Sequence, residues 1–209
     1  MKRILIVDDH DVVREGVKRM FEQPGAVVFG EARTPAEALK LVREQQWDIV
    51  LLDLYLEGRS GLEVLKDLGQ LRPKLPVLIL SMHSEEQYAR RAFKAGASGY
   101  VTKDSPRSVL IDAVNKVIGG GRYVSPALAE KLVIYLERGT DRPLHELLSD
   151  REFEVMTHIA SGKTVGEIAV VLSLSDRTIS TYRARILDKM GMKTNAELTH
   201  YAIYNKLVE

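Results

Sequence analysis

Five residues of types that handle phosphoryl groups and hard cations stand at the ends of short apolar runs. Asp8 and Asp9 follow Ile4-Leu5-Ile6-Val7, Asp53 follows Ile49-Val50-Leu51-Leu52, Ser81 follows Val77-Leu78-Ile79-Leu80, and Lys103 lies just past Gly99–Thr102. Carboxylates crowded into one pocket repel one another unless a cation sits among them, and hard oxygen ligands with room for water suit Mg²⁺. A carboxylate is also a nucleophile toward phosphorus, and a neighbouring ammonium and hydroxyl can share the negative oxygens of a transferred phosphoryl group. Each residue alone has an ordinary explanation: a turn, a helix-cap acid, a strand end, a solvated lysine. Their joint occurrence points to a pocket in which Asp53 accepts a phosphoryl group.

A second set is basic. The formal net charge of the 209-residue chain is only +1, yet within 177–193 the cations Arg177, Arg183, Arg185, Lys189 and Lys193 face a single acid, Asp188. The segment Gly166–Thr181 has the helix, short turn, helix form that sets a second helix across a first. Ile168, Ala169 and Leu172 are spaced for one buried face, and Ser173-Leu174-Ser175 makes the turn. On the second helix Ile179, Tyr182, Ile186, Leu187 and Met190 form an inward stripe. Arg177, Ser180, Thr181, Ala184 and Asp188 occupy another face, narrow enough to enter a major groove while Arg183 and Arg185 hold phosphates. By charge pattern alone, a solvated face on a small helical bundle explains this equally well.

The elements that must position the first set alternate over residues 1–120 as βα units around a parallel sheet. Strands are expected at Arg3–Asp8, Val27–Ala32, Ile49–Asp53, Val77–Ser81 and Gly99–Thr102, with helices near 11–22, 35–45, 61–71, 84–95 and 106–118. Runs apolar at every position, such as Ile49–Leu52, suit strands covered on both faces. In an open sheet of this kind reactive groups gather beyond the carboxyl ends of the strands. Gly119-Gly120-Gly121 ends the fifth helix and marks a boundary. Ser125-Pro126 starts a connecting helix to about Arg138, and 139–147 reads as linker. The rest is helical, near 150–161, 164–172, 176–190 and 194–205, with Ser149, Ser175 and Thr194 as candidate caps and Gly162 and Gly191 as punctuation.

Residues 1–120 resemble the receiver domain of bacterial response regulators through Asp-Asp-His at 8–10, Leu-Asp-Leu at 52–54, Leu-Ser-Met-His at 80–83 and Ala-Gly-Ala-Ser-Gly-Tyr-Val-Thr-Lys at 95–103. Leu148–Met156, Ile159–Thr164, Glu167-Ile-Ala and Thr178–Met190 resemble the LuxR/NarL-type DNA-binding domain, so the likeness to NarL/FixJ response regulators spans almost the whole chain. It implies a flavodoxin-like five-stranded parallel sheet of order 2-1-3-4-5 in a receiver at 1–120, a linker at 121–147, and an all-α four-helix helix-turn-helix domain at 148–209. It implies that Asp53 is the phosphoacceptor, that Asp8, Asp9, Asp53 and the backbone carbonyl of Tyr55 form the Mg²⁺ site, and that Ser81, Tyr100 and Lys103 bind the phosphoryl group and switch. It places Ser180, Thr181 and Ala184 toward bases and Lys163, Thr178, Arg183 and Lys189 at or near phosphates, where the charge pattern also sets Arg185. The implied partners are a histidine kinase, a two-fold operator in double-stranded DNA and a second copy of the chain. Leu56 and Glu57 depart from the Met-Pro usual after the acceptor, Tyr55 is bulky beside it, and Ser180 and Tyr182 depart from a common Lys and His on the reading helix.

Composition fits this. The apolar share of 45% suits two ordinary cores, and the absence of Cys excludes disulfide scaffolds and thiolate metal sites. The opening apolar run stops at Asp8, too short for a signal peptide or a membrane span, so a bacterial cytoplasmic protein is expected. Beyond its own phosphorylation and dephosphorylation no enzyme is expected: no Asp-x-Asp follows the third strand, as in phosphatases with an aspartyl intermediate, and no P-loop is present. The alternative is an atypical receiver that works by protein contact without phosphorylation.

Overall fold

The computed structural model describes residues 1–21, 27–56, 59–82, 85–130 and 143–208. The chain divides into two compact units, Met1–Tyr135 and Leu136–Glu209. In the first, strands β1 (Lys2–Val7), β2 (Val27–Ala32), β3 (Ile49–Leu52), β4 (Val77–Ser81) and β5 (Gly99–Thr102) pair in parallel in the order β2-β1-β3-β4-β5. This is the flavodoxin-like order expected from the sequence. Every residue of β3 and β4 is buried, because helices cover both faces of the sheet: α1 (Asp11–Met20), α2 (Pro35–Glu44), α3 (Gly61–Leu71), α4 (Glu85–Lys94) and α5 (Arg107–Ile118). On one face Ile4, Ile6, Leu51, Leu78 and Leu80 pack with Val17 of α1 and Leu110, Val114 and Val117 of α5.

Two details differ from the expected strands. β1 and β3 stop one residue early, at Val7 and Leu52, so Asp8 and Asp53 sit just beyond the ladders. After Asp53 the chain makes a short antiparallel pairing, Tyr55 with Ser60 and Leu56 with Arg59, closed by Gly61 N–H donating to the Leu54 carbonyl at 2.7 Å. No sequence signal announced this ladder.

The expected connecting helix begins as read, with Leu128 N–H donating to Ser125 Oγ at 3.2 Å and residues 126–130 helical; its continuation lies outside the described residues. Of the expected linker, residues 143–147 fall within the described residues. Leu144–Leu147 form a 3₁₀ turn after Pro143, anchored by His145 N–H and Nδ1 against the Tyr201 hydroxyl at 3.2 and 2.9 Å.

The second unit holds α6 (Asp150–Ala160), α7 (Val165–Val171), α8 (Asp176–Met190) and α9 (Asn195–Tyr204). Each starts on a hydroxyl cap: Ser149, Thr164, Ser175 and Thr194 accept from backbone N–H groups three residues on, each such cap being worth about 1 kcal/mol. α8 ends at Gly191, whose φ of 64° is the left-handed conformation glycine adopts without strain. α6 is buried along its whole length and packs against α7, α8 and α9, with Phe153, Met156, Ile168, Ile179, Ile186 and Leu198 in the core.

Candidate functional site

The carboxyl ends of β1, β3 and β5 converge. Asp8 N–H donates to the Ala32 carbonyl at 3.1 Å and Asp53 N–H to the Val7 carbonyl at 2.9 Å, which holds the two acids side by side at the sheet edge. Both are nearly sealed from solvent, at 2% and 4% exposure. Lys103, past β5, has its N–H on the Ser81 carbonyl at 2.8 Å and directs its ammonium between them, 2.7 Å from Asp8 Oδ2 and 2.6 Å from Asp53 Oδ2. A buried carboxylate left without this partner would cost about 3–5 kcal/mol.

Burial is the largest influence on the Asp53 carboxyl and lifts it to about 6; the Lys103 ammonium pulls against it, Asp8 adds to the rise, and the Tyr55 N–H, 3.2 Å from Oδ1, opposes it. Burial pushes the Lys103 ammonium down, but Asp53 and Asp8 outweigh it and hold the group above its ordinary range. The pocket therefore holds one fixed cation against a carboxyl whose ionisation burial resists.

Asp8, Asp9, His10 and Asp53 each offer a ligand atom within 4.8 Å of the others. Asp9 Oδ1 is buried and receives no hydrogen bond, although His10 Nδ1 lies 2.7 Å away. Three carboxylates with an imidazole at their edge offer the hard oxygens that fit a divalent cation such as Mg²⁺. Ser81 and Tyr100, on β4 and β5, are fully buried. Tyr55 bonds through its hydroxyl to that of Tyr88 on α4, with the rings edge to face at 6.0 Å. Glu57 lies outside the described residues.

Two residues at this site were missed in the sequence. Gly61 admits no side chain: a Cβ would lie 2.2 Å from the Asp53 carbonyl oxygen and 2.6 Å from Leu54 Cα. Arg14, buried on α1, donates to the Asp8 carbonyl at 2.7 Å. A cation at the buried position one turn before Val17 was the available signal; for Gly61 there was none.

The second unit places the other set along α8. Ser180, Thr181, Ala184 and Arg185 are exposed, Thr178 and Arg183 half-buried, and Ile179, Ile186 and Met190 buried as the stripe requires. Arg177, Thr178, Thr181, Tyr182 and Arg185 line one open depression of about 300 Å³. Lys163 is exposed beyond α6. Two of the cations carry internal bonds: Arg183 Nε donates to Asn195 Oδ1 at 2.6 Å, and the Lys189 ammonium sits 2.7 Å from the buried Glu152 carboxylate. Glu152 is also the acid of a capping box with Ser149, a Ser-x-x-Glu spacing that the sequence displays. Arg151 joins Glu154 at 2.7 Å and the Leu172 carbonyl at 2.8 Å, tying α6 to the end of α7.

Comparison with known proteins agrees with both units. Residues 4–115 match the response regulator receiver domain, and residues 146–202 match the bacterial regulatory proteins of the luxR family. The chain is 35% identical to the response regulator GacA of Pseudomonas aeruginosa, over 100% of this chain and 99% of that protein. It is 32% identical to the response regulator UvrY of Escherichia coli K12, over 99% and 96%. Among solved structures, a LuxR-family two-component response regulator from Aurantimonas sp. SI85-9A1 is 40% identical with a TM-score of 0.59, covering 64% of this chain and 96% of that one. Among the described residues no helix is long and apolar enough to cross a membrane.

Proposed function

Because this chain belongs to the NarL/FixJ response regulators, phosphorylation-regulated transcription regulators that pair a receiver with a LuxR-type DNA-binding domain, we propose that Asp53 takes a phosphoryl group from a histidine kinase and thereby controls dimerisation and operator binding. The observation that carries this reading is the Lys103 ammonium fixed between Asp8 and Asp53, a cation already in place where phosphoryl charge will arrive.

A carboxylate oxygen of Asp53 attacks phosphorus, the bond from phosphorus to the kinase histidine nitrogen breaks, and an acyl phosphate forms. Lys103 turns from the Asp53 carboxylate to a phosphoryl oxygen, and the Ser81 hydroxyl donates to another. Asp8, Asp9, Asp53 and the Tyr55 carbonyl would hold Mg²⁺, which would supply the remaining charge neutralisation when bound. Tyr100, already buried on β5, holds the shifted Ser81 arrangement, and the face of α4 and β5 is remodelled with it.

The second unit reads DNA through α8. Ser180, Thr181 and Ala184 face bases, while Lys163, Thr178, Arg183, Arg185 and Lys189 approach phosphates. Two copies joined through α9 would set their reading helices about one turn of DNA apart, ~34 Å, and joining two weak half-site contacts raises affinity. The protein works in the bacterial cytoplasm, where its kinase presents the phosphoryl group.

Incubation with Mg²⁺ and a small phosphodonor should label the wild type and leave Asp53→Ala unlabelled. Equal labelling of the two, or of neither, removes the phosphorelay and leaves regulation by protein contact. Selection of binding sites from random DNA, with and without phosphodonor, should return a two-fold sequence enriched by phosphorylation.

A further inference from the structure

Arg14 is only 3% exposed, and no step of the phosphoryl chemistry uses it. Its guanidinium makes three contacts: Nη1 to the backbone carbonyl of Asp8 at 2.7 Å, Nε to Glu31 at 2.9 Å, and Nη2 to Asp11. Glu31 is shared with Lys18 at 2.7 Å, and Asp11 with Arg33 at 3.1 Å. A buried cation is tolerated where its donors are all engaged by a rigid set of acceptors, and a planar guanidinium fixes the geometry of what it holds.

What it holds is the peptide joining the two acids at the end of β1. Asp8 is gripped elsewhere as well: its N–H by Ala32, its Oδ1 by the His10 N–H at 2.9 Å, its Oδ2 by Lys103 at 2.7 Å. The carbonyl bond to Arg14 adds the last constraint. Since a peptide is planar, fixing that oxygen fixes the plane that ends at Asp9 Cα, and the His10 N–H on Asp8 Oδ1 holds the next peptide, so both sides of the Asp9 Cα are restrained. Asp9 carries a buried oxygen that receives no hydrogen bond and has His10 Nδ1 2.7 Å away, within the cluster that Asp8 and Asp53 complete.

We propose that Arg14 is a positioning residue for the divalent-cation site: it holds the Asp8–Asp9 peptide so that the Asp9 carboxylate faces the pocket before a cation arrives. This rests on the reading that the Asp53 pocket binds Mg²⁺. A competing effect has the opposite sign, because a positive charge near the pocket repels a cation and its removal would tighten binding. Glu31 and Asp11 offset that charge at contact distance, so orientation outweighs repulsion.

Calorimetric titration of Mg²⁺ into the full-length protein tests this without reference to phosphorylation. Arg14→Met should weaken Mg²⁺ binding on the order of tenfold, the effect of losing a group that orients a metal ligand. Arg14→Lys keeps the charge, but a single nitrogen cannot span the three acceptors, so it should lose part of the affinity. Arg33→Ala, which removes a cation that touches Asp11 but not Asp8, should bind as the wild type does. In phosphodonor labelling, the Mg²⁺ concentration for half-maximal rate should rise in Arg14→Met by the same factor, with a smaller change in the rate at saturation. Binding within about twofold of wild type in both Arg14 variants, or tighter binding in Arg14→Met, overturns the proposal. If Arg14→Met does not fold, Arg14→Lys decides by the same criterion. A wild type that binds no Mg²⁺ removes the cation-site reading and this proposal together; a wild type that binds while the variants match it removes only the role of Arg14.

Discussion

Under the proposed function, Asp53 and Arg185 would handle phosphate charge in two different ways. The Asp53 carboxylate is 4% exposed, with Lys103 at 2.6 Å and the Tyr55 N–H at 3.2 Å already on its oxygens. Arg185 is exposed on α8, at the rim of an open depression with Arg177, Thr178, Thr181 and Tyr182. Where water is excluded a single added charge is felt strongly and cannot be screened, so one phosphoryl group can move fixed neighbours. Where side chains are solvated each contact with DNA is weak and screened, so affinity must come from several together and fall with salt. The proposed function thus asks one strong event of the receiver pocket and many small contacts of α8.

The sharpest way to break this contrast is to disturb the packing around Asp53 and ask whether the second unit notices. Gly61→Ala drives a methyl group to 2.2 Å from the Asp53 carbonyl oxygen. Relief requires backbone movement, and overpacking of this kind costs about 3 kcal/mol. Calorimetry should show the receiver transition lowered by roughly 10 °C or more and the second transition unmoved. If both fall together, the two units do not unfold independently and the contrast must be drawn for the molecule as a whole.

The same residue shows what the sequence could and could not reveal. The pocket acids, Ser81 and Lys103 were legible because strands apolar throughout are easily recognised and the topology gathers their ends. α8 was legible as a helix with an inward stripe, and Ile179, Ile186 and Met190 are buried accordingly; the proposal that its outer face reads DNA rests on the family resemblance. Gly61 was invisible because its constraint comes from the chain folding back on Asp53 in a two-residue ladder. Lys189 showed its charge but not its partner, since Glu152 lies 37 positions away. His145 was assigned to linker because the Tyr201 hydroxyl that orders its turn is 56 positions away.

A second, somewhat smaller effect tests the desolvated side directly. Burial raises Asp53 from 3.8 to about 6, so in metal-free solution its ionisation opposes folding. That part of the stability is fully present below the unfolded value near 4 and is lost as pH rises through about 6. A shift of this size corresponds to about 3 kcal/mol, of which roughly 2–3 should be recovered at pH 7 by Asp53→Asn. The gain over wild type should shrink as pH falls from 6 toward 4. Urea unfolding followed across that range measures it, and a gain that does not vary with pH would mean that the buried carboxylate is compensated by Lys103 alone.

Glu152 supplies the counterpart in the second unit, with the opposite sign and a smaller size. Burial pushes its carboxyl up, but the Lys189 ammonium together with the Ser149 N–H and hydroxyl brings it below its ordinary 4.5. Its ionised form therefore stabilises the fold; the contribution is present above the unfolded value and lost as pH falls through the lower folded one. Glu152→Gln should destabilise the second unit by about 1–2 kcal/mol at pH 7, since a half-exposed lysine is partly screened, with the deficit fading below pH 4. The variant also frees Lys189. If that lysine reaches phosphate in the DNA complex, binding by Glu152→Gln should depend on salt at least as steeply as wild type, whereas Lys189→Ala should flatten the slope by about 0.9 per site. A slope unchanged in Lys189→Ala, with stability reduced as in Glu152→Gln, would make Lys189 an internal cation of the α6 cap and leave the phosphate contacts to Arg183, Arg185 and Lys163.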